Sequence, residues 1–173
     1  YFDPQNGKDS ILYNFPSGAY PEGTPIQATD GNIYGTTSTG GSNSLGSIYK
    51  YVPSTGAFST LYSFSGGPLG SDPFGSLIEA NDTLYGMTHN GGSSGDGIIY
   101  KCSLSGTVIT LVSFGGGNGN ASFGSLVQTS GGVFYGMTYA GGSSYGNIFK
   151  LALPSALTNQ HSFTGGGSDG SYP

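Results

Sequence analysis

A unit of about 50 residues returns three times along the chain, and this repeat constrains the fold more than any other feature. The motif Tyr34-Gly35-Thr36-Thr37 returns at Tyr85 and at Tyr135, at spacings of 51 and 50 residues. A Gly-Gly-Ser motif and an Ile-aromatic-Lys motif follow it in every unit. Aromatic residues recur at the unit ends, at Phe15, Phe64, Phe114 and Phe163. Such self-similarity indicates that one supersecondary unit stacks on copies of itself.

Each unit contains four short runs of β-forming residues. In the second unit these are residues 76–79, 83–88, 97–102 and 107–114, separated by turn residues such as Asn81-Asp82 and Ser105-Gly106. A β-sandwich would give short strands without the self-similarity, and a β-solenoid would have a shorter repeat. We therefore predict an all-β fold: a β-propeller with four-stranded antiparallel blades, comprising about three blades and partial ends.

The repeat also predicts the boundaries of the units. We expect residues 1–15 to be the end of a preceding blade (its strand D), residues 16–64, 65–114 and 115–163 to be blades 1 to 3, and residues 164–173 to be a linker toward a further blade. Propellers typically close with 4–8 blades. The expected partners are therefore further blades of the same longer chain, or neighbouring copies.

Composition argues against several classes of partner. The 173 residues include 34 Gly, 13 Tyr and 10 Phe, but only 4 Lys and Arg together against 9 Asp and Glu, for a net charge of -5. Nucleic-acid binding needs a basic face, so no nucleic-acid partner is expected. No apolar run approaches the roughly 18 residues of a membrane span, so no membrane insertion is expected. Low charge and many small polar residues favour an extracellular or cell-surface location.

The motifs of the second unit are Leu61-Tyr62-Ser63-Phe64, Gly66-Gly67, Pro73, Leu77-Ile78, Leu84-Tyr85-Gly86, Gly91-Gly92 and Gly97-Ile98-Ile99-Tyr100-Lys101. In this order they resemble the GloVer tandem repeat, a bacterial family of Gly-rich, propeller-like repeats on predicted exported and surface-anchored proteins. The match covers nearly the whole chain. The Asp-Gly turn of that family survives only as Asp30-Gly31. The resemblance implies propeller architecture and export, and it implies no particular ligand.

Antiparallel strands place the loops after the second and fourth strand of each unit on one face, which carries the long Gly-rich loops. Ligand-binding residues are expected on such a face, at positions that differ from unit to unit. The candidates end the second strand or lie in the loop that follows it: Ser38, His89 and Tyr139, and Asn43, Asp96 and Tyr145. The competing interpretation is that these positions are merely exposed and unconstrained.

Other residues have structural interpretations. Cys102 replaces Tyr51 and Leu151 of the other units, so we expect it to pack in the core. We expect Gly35, Gly86 and Gly136 to admit a bulky residue from an adjoining blade. Acidic residues in Gly-rich loops could bind calcium, but no dense Asp ladder is present, so no metal and no cofactor are predicted. Asn81 and Asn120 begin N-glycosylation sequons, which matter only in a source that glycosylates asparagine.

Three functions remain open on this evidence. The first is a non-catalytic extracellular or cell-surface propeller for ligand binding, adhesion or structural scaffolding, with a glycan as one candidate ligand. The second is a self-assembling structural or filament element built from partial propellers. The third is part of a propeller enzyme acting on glycans. The first is our prediction, because no catalytic constellation of His, Arg and acidic residues is visible.

Overall fold

Three four-stranded antiparallel sheets follow one another in the order of the three repeats. The computed structural model describes residues 2–3, 8–9, 11–167 and 169–173. A short hairpin of β1 (Phe2–Asp3) and β2 (Lys8–Asp9) precedes sheet 1, which is β3 (Ile26–Gln27), β4 (Ile33–Thr37), β5 (Ser47–Val52) and β6 (Ala57–Ser63). Sheet 2 is β7 (Ile78–Ala80), β8 (Thr83–Met87), β9 (Ile98–Ser103) and β10 (Val108–Ser113). Sheet 3 is β11 (Val127–Gln128), β12 (Phe134–Thr138), β13 (Asn147–Ala152) and β14 (Ala156–Ser162).

The all-β class and the four-stranded antiparallel units predicted from the repeat are confirmed. Helix is limited, in the described residues, to two single 3-10 turns at Gly67–Leu69 and Gly116–Asn118. The same residues include no helix of the length and apolarity that crossing a membrane requires.

The local geometry repeats from sheet to sheet. In each sheet the pairing of the third with the fourth strand shifts register at the same point, between Ile48 and Tyr49 in sheet 1 and between Ile148 and Phe149 in sheet 3. Such a bulge increases the twist of the strand pair. The tight turn between β7 and β8 has Asn81 and Asp82 at φ of 50° and 56°, the left-handed region in which Asn and Asp are favoured.

The hydrophobic core lies between consecutive sheets. Sheets 1 and 2 enclose one buried cluster and sheets 2 and 3 enclose another, so sheet 2 is covered on both faces. The first cluster contains Ala28, Tyr34, Ile48, Phe64, Leu77, Leu84, Ile98, Tyr100 and Cys102. The second contains Ala80, Tyr85, Met87, Ile99, Phe114, Leu126, Phe134, Phe149 and Leu151.

The sheets also touch at one edge, where their first strands begin, and we call this the inner edge. The backbone N–H of Thr24 donates to Ser76 Oγ at 2.8 Å, and the N–H of Ser76 donates to Ser125 Oγ at 2.8 Å. Thr36 Oγ1 donates to the carbonyl of Gly75 at 3.0 Å. Sheet 2 therefore sits against sheet 1 in the same way as sheet 3 sits against sheet 2.

The second strand of each sheet contains a glycine that lies beneath an aromatic ring. A Cβ at Gly86 would overlap the ring of Tyr100, its cross-strand partner in sheet 2. Gly35 lies in the same way against Tyr49, and Gly136 against Phe149. The prediction that these glycines admit a residue from an adjoining unit is wrong, because the ring comes from the neighbouring strand of the same sheet.

The phenylalanines that end the fourth strands join one sheet to the next. The ring centroid of Phe64 lies 5.3 Å from that of Tyr100, and Phe114 lies 5.6 Å from Phe149. Before sheet 1, residues 11–15 have no regular secondary structure, and Phe15 lies 5.1 Å from Tyr49. Phe15 thus makes the contact on sheet 1 that its repeat equivalents make on sheets 2 and 3.

Candidate functional site

The long loops of each unit meet on one face of the molecule, which we call the loop face. The connection from sheet 1 to sheet 2 runs between two of these loops: the Asp72 N–H donates to the carbonyl of Leu45 at 3.0 Å, and the His89 N–H donates to the carbonyl of Asp72 at 3.0 Å. Ala121 makes the same two contacts, with the carbonyl of Asp96 and the N–H of Tyr139. The loops after the second and fourth strands therefore share a face, as the antiparallel order predicted.

The positions that end the second strand have equivalent surroundings. The N–H groups of Ser38, His89 and Tyr139 donate to the carbonyls of Tyr20, Asp72 and Ala121, respectively, at 2.8 to 3.2 Å. In the first unit, Ser38 Oγ also donates to Glu22 Oε1 at 3.1 Å. Phe74 and Phe123 occupy the position of Glu22 in the second and third units. At this position the loop face thus carries an acidic side chain at sheet 1 and aromatic rings at sheets 2 and 3.

Rings in contact cross the loop face from sheet 2 to Tyr172, beginning with a cluster in which Phe74, His89 and Phe123 all contact one another. His89 lies 5.5 Å from Phe74 and 4.4 Å from Phe123, measured between ring centroids. Phe123 lies 5.4 Å from Tyr139, which stacks on Tyr172 at 4.8 Å. We call these five residues the aromatic row. Phe123, Tyr139 and Tyr172 are 47%, 40% and 49% exposed, so the row presents large apolar surface to solvent.

Tyr172 reaches the aromatic row because the end of the chain follows the path of the earlier connections. Its N–H donates to the carbonyl of Tyr145 at 2.9 Å, as the Asp72 N–H does to Leu45. Asp72, Ala121 and Tyr172 also share a left-handed backbone, with φ of 57°, 54° and 54°. Residues 172–173 therefore repeat the conformation that leads into sheets 2 and 3.

His89 has an apolar setting within the row. Burial lowers the pKa of its imidazole below the usual 6.5, and the nearby Asp72 carboxylate offsets only part of that effect. Its Nδ1 is buried and has no hydrogen-bond partner among the described residues. The ring is therefore neutral at pH 7 and acts as another flat, largely apolar surface.

Carboxylates and amides lie beside the rings. Asp72 Oδ2 accepts hydrogen bonds from Asn90 Nδ2 at 2.8 Å and from Ser71 Oγ at 3.0 Å. Glu22 lies on the loop face at sheet 1 and accepts a hydrogen bond from Ser38 Oγ. These groups can exchange hydrogen bonds with hydroxyl groups of a ligand held on the aromatic row.

The candidates in the loop middles are arranged differently from the strand ends. Asn43 Nδ2 donates to the carbonyl of Phe64 at 2.9 Å, and Asp96 Oδ2 accepts the N–H of Gly116 at 3.4 Å. Both side chains thus bond to backbone of the following connection. Tyr145 packs against Tyr172 at 5.7 Å, at the end of the aromatic row. The repeat equivalent of Asp96 and Tyr145 is Leu45, not Asn43, since each precedes a glycine and its carbonyl accepts the same N–H.

The structure therefore joins His89 and Tyr139 in one site, with Tyr145 at its edge, and leaves Ser38 beside Glu22. Phe74, Phe123 and Tyr172 are not among the residues expected from the sequence. A signal was available for the first two, because both precede the Gly-Ser that leads into the first strand of their unit.

The remaining chemistry-bearing side chains serve local structure. Burial raises the pKa of the Cys102 thiol to about 12, which suits core packing rather than nucleophilic chemistry. His161 Nε2 lies 2.7 Å from Asp169 Oδ1, and Asp169 also accepts the N–H of Thr164 at 2.8 Å. No three His, Cys, Asp or Glu side chains in residues 11–167 and 169–173 come together as a metal site.

The two sequon asparagines lie at different kinds of position. Asn81 is exposed in the turn between β7 and β8. Asn120 is half-buried, and its backbone pairs with that of Ala140 at 2.8 and 3.1 Å on the loop face.

A family model described as the Gloeobacter/Verrucomicrobia repeat matches residues 1–173, in agreement with the resemblance carried by the motifs. No curated protein matches the chain.

Proposed function

The chain belongs to the Gloeobacter/Verrucomicrobia repeat family. We propose that it is a non-catalytic repeat propeller, located at the cell surface or outside the cell, and that it binds a glycan on its loop face. The aromatic row is the single observation that carries the ligand-binding part of this proposal. Ring contacts of 4.4 to 5.5 Å join residues of successive units, and a surface of that extent suits an extended oligosaccharide better than a single sugar.

Sugar rings suit such a strip because they present C–H groups on their faces and hydroxyl groups at their edges. Aromatic rings pack on the apolar faces, while nearby polar groups fix orientation through the hydroxyls. Asp72 and Asn90 beside the row, and Glu22 and Ser38 on the loop face at sheet 1, supply these groups. The net charge of -5 disfavours anionic ligands, so a neutral glycan is the expected class.

The propeller arrangement is supported by the repeated step between sheets. Ser76 and Ser125 receive equivalent hydrogen bonds along the inner edge. The outer hairpin of sheet 2 packs Gly106 on the backbone of Leu61 in sheet 1. A repeated relation between successive sheets, with their first strands adjacent, is what blades around a common axis would have.

The chemistry of the loop face supports a binding role rather than a catalytic one. His89 is neutral and held among rings, with no acid or base paired to its Nδ1 in the described residues. Glycoside hydrolysis needs two carboxyl groups flanking the bond. Asp72 instead bonds to Asn90 and Ser71.

A glycan array followed by calorimetric titration tests the proposal. We expect micromolar to millimolar binding of neutral oligosaccharides, and a loss of at least about tenfold in affinity for the double variant Phe123→Ala/Tyr139→Ala. Tyr13→Ala is the matched control, because Tyr13 is 38% exposed but packs on Phe58 at the outward face of sheet 1. Unchanged affinity in the double variant, or cleavage of the bound glycan on prolonged incubation, would contradict the proposal.

A further inference from the structure

The outward face of sheet 3 carries the residues that are buried in the other two sheets. Met87 is 3% exposed between sheets 2 and 3, whereas its repeat equivalent Met137 is 42% exposed. Val127 is 61% exposed, and Tyr135 and Ile148 are half-exposed, although their equivalents in sheet 2 face the next sheet. We call Val127, Tyr135, Met137 and Ile148 the head face. It is the surface on which a following sheet would pack.

The outward face of sheet 1 is the opposite kind of surface, on which a preceding sheet would pack. Its residues Pro25, Ile33, Tyr49, Tyr51 and Phe58 line an apolar hollow. In sheet 3 the equivalent positions pack against sheet 2. The repeat equivalents of the first four residues are Leu126, Phe134, Phe149 and Leu151. We call this hollow the tail face.

Residues 11–15 cover the centre of the tail face, where Tyr49 and Tyr51 are buried, and leave Ile33 and Phe58 half-exposed. Tyr13 stacks on Phe58 with ring centroids 3.6 Å apart, and Phe15 contacts Tyr49. Ile11 is 79% exposed, and Pro25 is also exposed. At the other end of the chain, Phe163 is half-buried, while its equivalents Phe64 and Phe114 are completely buried on the next sheet. Phe15 and Phe163 are therefore repeat equivalents, and either side chain could fill the position over Tyr49.

We propose that copies of this chain assemble head to tail, with the head face of one copy on the tail face of the next and Phe163 replacing Phe15 over Tyr49. The interface continues the one already formed twice within the chain, with the same residue positions on both sides. Lys150 then lies at the rim, where Lys50 and Lys101 lie half-exposed at the two internal interfaces. A contact between two different faces is heterologous, so it propagates to a ring or a filament.

Sedimentation velocity on the 173-residue chain and four variants tests the proposal. The wild-type chain should associate with increasing concentration. Met137→Lys should block the head face and Ile33→Lys the tail face, each weakening association by at least about tenfold because a charge would be buried without a partner. Val127→Lys repeats the head test at a more exposed position if Met137→Lys does not fold. Ile109→Lys is the matched control, since Ile109 is 48% exposed on neither face, and it should associate as the wild-type chain does.

Mixing the blocked variants gives the sharpest outcome. Met137→Lys keeps its tail face and Ile33→Lys keeps its head face, so a 1:1 mixture should give a dimer and nothing larger. Phe15→Ser should shift assembly of the otherwise wild-type chain to lower concentration, because the competing ring is removed. A wild-type chain and a folded Phe15→Ser variant that both remain monomeric at several hundred micromolar would overturn the proposal. So would wild-type assembly that Met137→Lys and Ile33→Lys leave unchanged, or a mixture that stays monomeric.

Discussion

A glycine beneath an aromatic ring recurs in the second strand of every sheet, and its role can be measured at Gly86. The Cβ of Gly86→Ala would overlap the buried ring of Tyr100, so the ring or the strand must shift. Overpacking of this kind costs about 1–3 kcal/mol. Urea unfolding should therefore show a loss of that size. Gly117→Ala, where a Cβ meets nothing within 4 Å, is the control and should change stability little. Equal effects of the two substitutions would contradict this explanation of Gly86.

The hydroxyl of Tyr100 gives a second prediction at this scale. It is buried without a hydrogen-bond partner among the described residues, and Phe149 fills the equivalent position in sheet 3. Removing an unsatisfied buried hydroxyl relieves a desolvation cost of about 1–3 kcal/mol, against some loss of packing. Tyr100→Phe should leave the unfolding free energy unchanged or raise it. A clear destabilisation would indicate that the hydroxyl has a partner.

His89 connects stability to pH. Its pKa in the folded chain lies below the ordinary 6.5, chiefly because burial disfavours the charged ring. As pH falls through 6.5, the unfolded chain binds the proton first, so this contribution to stability is present above 6.5 and lost below it. Urea unfolding between pH 8 and pH 5 should show the wild-type chain losing stability relative to His89→Gln. If the stability of the two proteins changed with pH in the same way, the buried environment assigned to His89 would be contradicted. Both proteins contain His161, so any contribution from that residue cancels in the comparison.

At the scale of the element, the joining phenylalanines separate internal interfaces from outward faces. Phe114 is completely buried between sheets 2 and 3, whereas Phe163 is half-buried on the outward side. Phe114→Ala should cost about 3–5 kcal/mol, and Phe163→Ala less than half as much in the dilute monomer. The comparison is made by urea unfolding at low concentration. Equal losses would mean that Phe163 is covered to the same extent.

The strands could be predicted from sequence because each is a run of β-forming residues between turn signals. For β8, β9 and β10 the predicted and observed bounds differ by at most one residue at each end. Strand β7 begins two residues later than predicted, because Ser76 serves the inner edge and its N–H bonds to Ser125. The sequence predicts that residues 1–15 contain the fourth strand of a preceding blade, but residues 11–15 form no strand. A strand also needs a hydrogen-bonded neighbour, which a local pattern does not reveal.

The site was harder to predict than the strands. His89 and Tyr139 could be proposed from the sequence because strand ends point to the face with variable loops. Phe74 and Phe123 lie in Gly-rich connections, and their contact with His89 joins residues of different units. Such a contact depends on how one sheet sits on the next, and repeat spacing alone does not specify that relation. For the same reason, the sequence suggested that the glycines face an adjoining unit when they face their own sheet.

At the scale of the whole molecule, two layers of apolar side chains hold three sheets, and the loop face collects the connections of all three. The few charges lie outside these layers; Lys50, for example, pairs with Asp30 at 3.4 Å. The aromatic row depends on this stacking, because its rings come from successive connections. A ligand on the row would therefore contact more than one unit at once.

The most direct test of the proposed function is an NMR titration of the isotope-labelled chain with the neutral oligosaccharide that binds best on the array. We expect chemical-shift changes at the amides of Phe74, His89, Phe123, Tyr139 and Tyr172, and in the glycines beside them. The turn that contains Asn81 and Asp82, on the opposite face, should not respond. Changes concentrated at that turn or on the outward sheet faces, with the aromatic row unaffected, would contradict the proposed function.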